Sequence, residues 1–256
     1  MDVTLITGAS SGLGAIFARR LAAQKQNLVL VARRKDMMDD LASELSKANG
    51  VSVVVEAADL SAPQAVPKLM KILAAQNLEV TSLINNAGFG TVGAFVEQDL
   101  MRQTEMVNLN AVTLMQLCHV VLPGMIKRKN GSILNMASVA AFQAGPGMAV
   151  YYASKAFVLS FSEALHEEVK SQGIKVSCLC PGATKTDFFA AAKAENSRLV
   201  SMAGSAEKVV DDGLNGLRRN QAIVVSGVMN NIFAQSTRFS PRVVARRIAG
   251  QLNKPR

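Results

Sequence analysis

The chain has 256 residues, of which 49% are hydrophobic and 18% charged, with a net charge of +9. That composition excludes a disordered chain and sets a length for one large domain. No uninterrupted apolar run approaches the roughly 18 residues that span a bilayer, and no basic segment precedes the first apolar run, so a cytoplasmic protein without an integral membrane segment is expected.

Seven short apolar runs predict strands at Val3–Thr7, Asn27–Val31, Val51–Ala57, Ser82–Asn85, Ser132–Met136, Lys175–Cys180 and Ala222–Ser226. Most are continuous rather than alternating, which fits strands buried on both faces of a parallel sheet. Helical patterns fill the gaps at Gly12–Gln24, Lys35–Ala48, Pro63–Gln76, Met106–Arg128, Tyr151–Gln172 and Ala206–Arg219. The βαβα order predicts an α/β fold, a doubly wound parallel sheet with helices on both faces, in a single domain over 1–256. Met106–Arg128 and Tyr151–Gln172 are apolar beyond one stripe. A second buried face on each predicts contact with another subunit.

The first strand runs into Thr7-Gly8-Ala9-Ser10-Ser11-Gly12-Leu13-Gly14, which opens the first helix. Glycines there permit a tight turn and close backbone approach to a pyrophosphate, and a helix N-terminus offers free N–H groups. The spacing is neither G-x-G-x-x-G nor a P-loop. The second strand ends in Arg33-Arg34, where an acid would bind the ribose 2′-hydroxyl of NAD. Two arginines pair with a 2′-phosphate instead, so NADP(H) is the expected cofactor.

Tyr151 and Lys155 stand four apart in the fifth helical pattern, so both project from one face. At about 4 Å and an effective dielectric of about 20, an ammonium stabilises a phenolate by roughly 4 kcal/mol. A tyrosine so placed can exchange protons near neutral pH. Tyr152, three residues from Lys155, is a rival by chemistry alone.

Cys118, Cys178 and Cys180 lie in apolar segments and are expected as reduced thiols. His119 and His166 belong to no Cys/His cluster, so no metal site is expected. No stripe of interleaved basic and aromatic residues supports nucleic-acid binding. The last sixteen residues hold Arg242, Arg246, Arg247, Lys254 and Arg256 without an acid, and read as a solvated basic tail helix, with contact to a membrane surface or a partner as the lesser alternative.

Taken in order, these motifs resemble the short-chain dehydrogenase/reductase family, from Val3 to about Asp187. Its T-G-x-x-x-G-x-G is met by Thr7, Gly8, Gly12 and Gly14, its Asp-Leu by Asp59-Leu60, and its N-N-A-G by Asn85, Asn86, Ala87 and Gly88. The resemblance places a helix asparagine at Asn108, a serine at Ser138, the Y-x-x-x-K pair at Tyr151 and Lys155, and P-G at Pro181-Gly182, with Thr184 and Thr186 following. It implies a Rossmann-type sheet and catalysis by Asn108, Ser138, Tyr151 and Lys155. It implies cofactor contacts from Gly8, Ser10, Ser11, Gly12, Leu13, Gly14, Arg33, Arg34, Asp59, Leu60, Asn86, Ala87, Gly88, Tyr151, Lys155, Pro181, Gly182, Thr184 and Thr186.

The implied reaction interconverts a carbonyl and a secondary alcohol with NADP(H), in a homodimer or homotetramer. Tyr151 would be the acid, Lys155 would lower its pKa and bind the nicotinamide ribose, and Ser138 would hold the substrate oxygen. Asn108 would hold a water behind Lys155. The substrate end is expected from loops Phe89–Phe95, Ala140–Val150 and 183–205, with Phe89, Phe142, Met148, Phe188 and Phe189 forming an apolar wall. A lipophilic ketone, aldehyde or 3-oxoacyl thioester fits such a wall. A non-catalytic NADP-binding regulator or scaffold is the rival reading, disfavoured by intact Tyr151 and Lys155.

Overall fold

The computed structural model describes residues 1–184 and 203–253. Thr186, Phe188, Phe189 and most of the expected 183–205 loop lie outside these residues, as do Lys254 and Arg256.

All seven predicted strands form. They are β1 (Asp2–Thr7), β2 (Leu28–Ala32), β3 (Val53–Ala57), β4 (Glu79–Asn85), β5 (Gly131–Met136), β6 (Ile174–Cys180) and β7 (Ile223–Val225). They pair in parallel as one sheet in the order β3-β2-β1-β4-β5-β6-β7. The order reverses between β1 and β4, and that switch point opens a crevice at the carboxyl ends of the strands.

Alternate side chains of one strand enter opposite cores. Val3 and Leu5 join Val29 and Val31 on one face, covered by α3 (Ala65–Ala75), α5 (Leu114–Arg128) and α6 (Ala149–Val169). Ile6, Leu28, Leu30 and Leu134 join the other, under α1 (Gly12–Ala23), α2 (Lys35–Asn49) and α7 (Ala206–Arg218). Burial on both faces is why the strands read as unbroken apolar runs. Cys118, Cys178 and Cys180 are buried and free, and burial pushes the Cys118 thiol up to about 12.

The fourth helical pattern is longer and less regular than expected. It begins as α4 (Leu100–Val107), passes through a π-helical segment at Asn108–Thr113, and continues as α5. Leu100–Arg128 is 29 residues long and contains an 18-residue window with a mean hydropathy of 1.5, enough by length and composition alone to cross a membrane. Asn108, Asn110, Gln116 and His119 interrupt it, so no unbroken apolar run of that length occurs. Its buried face, with Leu117, Cys118, Val121 and Met125, lies in the sheet's own core, and the opposite face carries half-exposed Met115 and Val120.

Two further helices, α8 (Val228–Ser236) and α9 (Arg242–Leu252), follow β7. Only the second is expected from the sequence, as a solvated tail. It is partly packed instead: Ala249 and Asn253 are buried, with Ala249 in a cluster with Met148, Tyr151 and Tyr152.

Candidate active site

A cleft of about 520 Å³ runs along the carboxyl edge of the sheet, from the β1–α1 turn to the start of α6. At one end the chain turns through Gly8, whose φ of +66° lies in the left-handed region that favours glycine. A Cβ at Gly14 would fall onto the carbonyl oxygen of Gly8, so the helix start and the turn touch directly. Thr7 fixes the neighbouring loop: its hydroxyl accepts the backbone N–H groups of Asn86 and Ala87 at 3.0 and 2.9 Å. Asn86 in turn donates through Nδ2 to the carbonyls of Thr7 and Gly8, at 2.9 and 3.2 Å. The turn therefore leaves the N-terminus of α1 open toward the cleft.

Ser10, Ser11, Gly12 and Leu13 line this end with Arg33 and Arg34. Arg34 donates to the hydroxyls of Ser10 (3.1 Å) and Ser11 (2.7 Å), which draws its guanidinium over the turn. Asp59 and Leu60 line the next wall. Ser61 donates to Asp59 through its hydroxyl and its backbone N–H, and these bonds hold the carboxyl below its usual range. Thr113 reaches across from the π-helical segment and donates to the Leu60 carbonyl at 2.6 Å.

At the other end, Ser138, Tyr151 and Lys155 converge and are all buried. Ser138 ends β5 in extended backbone, and its hydroxyl accepts the Ala140 N–H at 3.2 Å. A hydrogen bond joins Tyr151 and Ser138. Burial pushes the Tyr151 phenol up to about 12, and the Ser138 bond works against that rise. Burial pulls the Lys155 ammonium down to about 8. Its Nζ donates to the Met136 carbonyl at 2.8 Å and lies 5.8 Å from the centre of the Tyr151 ring.

Lys155 lies on the same side of the helix as the Tyr151 ring and is held by a backbone carbonyl, and a group that favours the phenolate in this structure is the hydrogen-bonded Ser138.

The expected asparagine is displaced. Asn108 starts the π-helical segment and does not line the cleft. Asn110, fully buried, takes the position behind Lys155. It accepts the Phe89 N–H (3.1 Å) and donates to the Phe89 carbonyl (2.9 Å) and the Ser154 hydroxyl (3.1 Å). A Cβ built on Gly88 would meet Asn110 Oδ1 at 2.8 Å and Lys155 Nζ at 3.4 Å, so both side chains border Gly88.

The two adjacent tyrosines differ in their partners. Tyr152 donates its hydroxyl to Asn253 Oδ1 at 3.1 Å, whereas Tyr151 is engaged by Ser138. Pro181, Gly182 and Thr184 line the cleft beyond Ser138, and Thr184 donates to the Gly182 carbonyl at 2.9 Å. Phe89 and Met148 form part of the apolar wall as expected, with Val92 added. Phe142 does not; it packs against the core. Two contributors gave no sequence signal: Asn253, and Arg102, which stacks over Phe89 at 3.7 Å. Among the described residues, no group of three His, Cys, Asp or Glu could hold a metal.

The cleft thus joins an anion-ready helix start with flanking arginines to a buried Ser–Tyr–Lys group, and these residues fit a dinucleotide lying between them. The family model for short chain dehydrogenases matches residues 2–197. A very-long-chain 3-oxoacyl-CoA reductase of Anas platyrhynchos is 34% identical over 181 residues, 69% of this chain and 58% of that protein. The chain therefore spans little more than half the length of that relative. Sulfoacetaldehyde reductase 2 of Chromohalobacter salexigens is 36% identical over 189 residues, covering 73% of this chain and 74% of that protein. A short-chain dehydrogenase from Sphingobium yanoikuyae, solved in complex with NADPH, superposes with a TM-score of 0.84 at 33% identity, over 93% of this chain and 94% of that one. The turn, the cleft and the buried trio sit where the matched family model runs, and the chain belongs to the short-chain dehydrogenase family.

Proposed function

We propose that this oxidoreductase reduces a lipophilic carbonyl compound, a 3-oxoacyl thioester or a bulky ketone or aldehyde, to the secondary alcohol at the expense of NADPH. The observation that carries the reading is the burial of Ser138, Tyr151 and Lys155 together at the apolar end of a cleft whose other end is arginine-flanked. A bound nicotinamide supplies the hydride. Every other task falls to the chain.

A phenol pushed up to about 12 is protonated at neutral pH, so Tyr151 holds a proton to give to a carbonyl oxygen that gains charge. Ser138 donates a hydrogen bond to that same oxygen and so favours the charged state. Lys155, cationic below about 8, adds positive potential behind the ring and remains anchored to Met136. Asn110 ties Phe89 to Ser154 and so fixes the wall beside Lys155.

Preference for NADP rests on Arg33 and Arg34, which supply cations where a 2′-phosphate would sit, and on the NADPH held by the Sphingobium relative. Replacing Arg33→Asp should worsen KM for NADPH far more than for NADH. The lipophilic substrate is supported by Phe89, Val92 and Met148 in the wall and by the 3-oxoacyl-CoA named for the Anas relative.

We also read the outward faces of α5 and α6 as a contact between copies, in a dimer or tetramer. Val120 and Phe157 are half-exposed there, and Phe157 stacks on Phe161 at 5.8 Å and 7°. Sedimentation at micromolar concentration checks that contact. The function is tested by following NADPH absorbance against a panel of carbonyl compounds. Turnover by the native chain, lost in Tyr151→Phe with NADPH binding kept, is the expected result. Full activity in that variant would overturn the assignment.

A further inference from the structure

We propose that α8 and α9 form a docking face for an anionic phospholipid surface. The helix α8 is inverted. In α8 the buried position is Ala234. Val228, Met229, Ile232 and Phe233 occupy the opposite arc of the helical wheel and are all exposed, Val228 by 78%. A helix that serves only its own core turns such a stripe inward.

The pattern continues beyond α8. Phe239, in the connection, is 88% exposed. On α9, Val244 and Ile248 stand four apart on an outward face with Arg247 beside them, while Ala249 is buried. Large apolar side chains exposed this often within one stretch of chain, 228–248, mark an interaction surface.

Charge identifies the occupant. From residue 213 to 256 the chain carries eight Lys or Arg and no Asp or Glu. Arg238, Arg242, Arg246 and Arg247 are all exposed in the same stretch of chain as these apolar side chains. Asp212, the nearest acid before this stretch, is already paired with Lys208 and accepts from Ser226. Large apolar side chains accompanied by uncompensated arginines match a surface with anionic headgroups over an acyl interior.

A second copy of the chain is the rival occupant. A two-fold contact sets a patch against itself. It would bring these arginines together with no carboxylate in the stretch to pair them, which disfavours it. The position adds a consequence: Asn253, at the end of α9, lines the cleft beside the apolar wall. An apolar carbonyl compound dissolved in the bilayer would therefore meet the cleft close to the docked face. That consequence rests on the proposed substrate; the docking itself does not.

The test is co-sedimentation of the full chain with phosphatidylcholine vesicles, with and without phosphatidylglycerol. Binding is expected only with phosphatidylglycerol and should fall as salt rises. Arg242→Gln, Arg246→Gln and Arg247→Gln should each weaken partitioning by roughly fivefold. The pair Ile232→Glu with Phe233→Glu should abolish it. If that pair fails to fold, the arginine series and the salt dependence decide alone. Equal binding to neutral and anionic vesicles, or none to either, overturns the proposal. So does a pair variant that falls to a smaller assembly in sedimentation while its vesicle binding is unchanged, since the face would then belong to a second copy.

Discussion

Tyr152 and Asn253, 101 residues apart in the chain, are joined by a 3.1 Å hydrogen bond from the phenol to the side-chain carbonyl. Asn253 completes the link by donating through Nδ2 to the Pro146 carbonyl at 3.0 Å. The end of α9 is thereby fastened to the helix that carries Tyr151, the proposed proton donor. Asn253→Ala strands a buried phenol and a carbonyl, which costs about 1–3 kcal/mol. Tyr152→Phe should cost less, and the double variant less than the sum of the two. Chemical denaturation measures this. In the same proteins kcat should change little, while KM for bulky carbonyl substrates rises, because the fastening shapes the wall and not the proton donor. A kcat loss in Tyr152→Phe as deep as that in Tyr151→Phe would contradict the assignment of the two tyrosines.

Ser138 opposes the effect of burial on Tyr151, and the two directions of the reaction feel this differently. Reduction needs the phenol protonated, which a value of about 12 guarantees at neutral pH. Alcohol oxidation needs it deprotonated, so the oxidation rate should climb with alkaline pH. Ser138→Ala removes both the substrate hydrogen bond and the hydrogen bond that favours the Tyr151 phenolate. Reduction should slow by about 10²–10³. The alkaline rise in oxidation should move to still higher pH. An unmoved profile would assign Ser138 to substrate positioning alone.

Lys155 is held where its charge is costly. Its ordinary value of 10.5 is pulled down to about 8 by burial, so folding disfavours the cation. Below pH 8 both folded and unfolded chains carry the proton, and the full penalty applies. As pH rises from about 8 to 10.5 the folded chain sheds the proton first, and the penalty is relieved. At about 1.4 kcal/mol per unit the penalty is about 3 kcal/mol. Lys155→Met removes it and loses the bond to Met136, so a net gain of about 1–2 kcal/mol is expected at pH 7, with no turnover. The advantage over the native chain should shrink between pH 8 and 10.5. Urea unfolding at several pH values measures it. A variant that is less stable at pH 7 would mean that the buried bond outweighs the charge.

What can be read from the chain follows the strength of its local signals. Each strand is an apolar run ended by polar or turn residues, and burial on both faces leaves that run intact, so all seven are legible. The Gly8–Gly14 turn and the Tyr151–Lys155 pair are likewise local. Asn108 and Asn110 mark where motif matching outruns physics. Met106, Asn110, Thr113 and Leu117 recur at spacings of four, three and four, and all are buried. That periodicity puts Asn110 on the inner face and Asn108 off it. The Tyr152–Asn253 bond has no such signal, because it joins side chains that only the tertiary fold brings together. The Lys155–Met136 bond escapes sequence reading for a similar reason: i,i+4 spacing fixes the face of the helix, but not the backbone carbonyl that holds the end of the long side chain.

The turn itself makes the sharpest test of the cofactor end. Gly14 lies against the carbonyl oxygen of Gly8, and a methyl group at Gly14 would also meet Asn86 Nδ2 at 2.8 Å. Neither neighbour can yield freely. Gly8 is fixed at positive φ, and Asn86 is already bonded to the Thr7 and Gly8 carbonyls. Gly14→Ala must therefore push α1 away from the turn and tilt the N–H groups that face the cleft. Loss of NADPH affinity of at least about tenfold, or about 1.4 kcal/mol, is expected. Packing strain of about 1–3 kcal/mol should accompany it. Fluorescence titration with NADPH and thermal melting without it separate the two effects. Native affinity in this variant would show that the phosphates bind away from the start of α1, and the cofactor would then have to be placed elsewhere in the cleft.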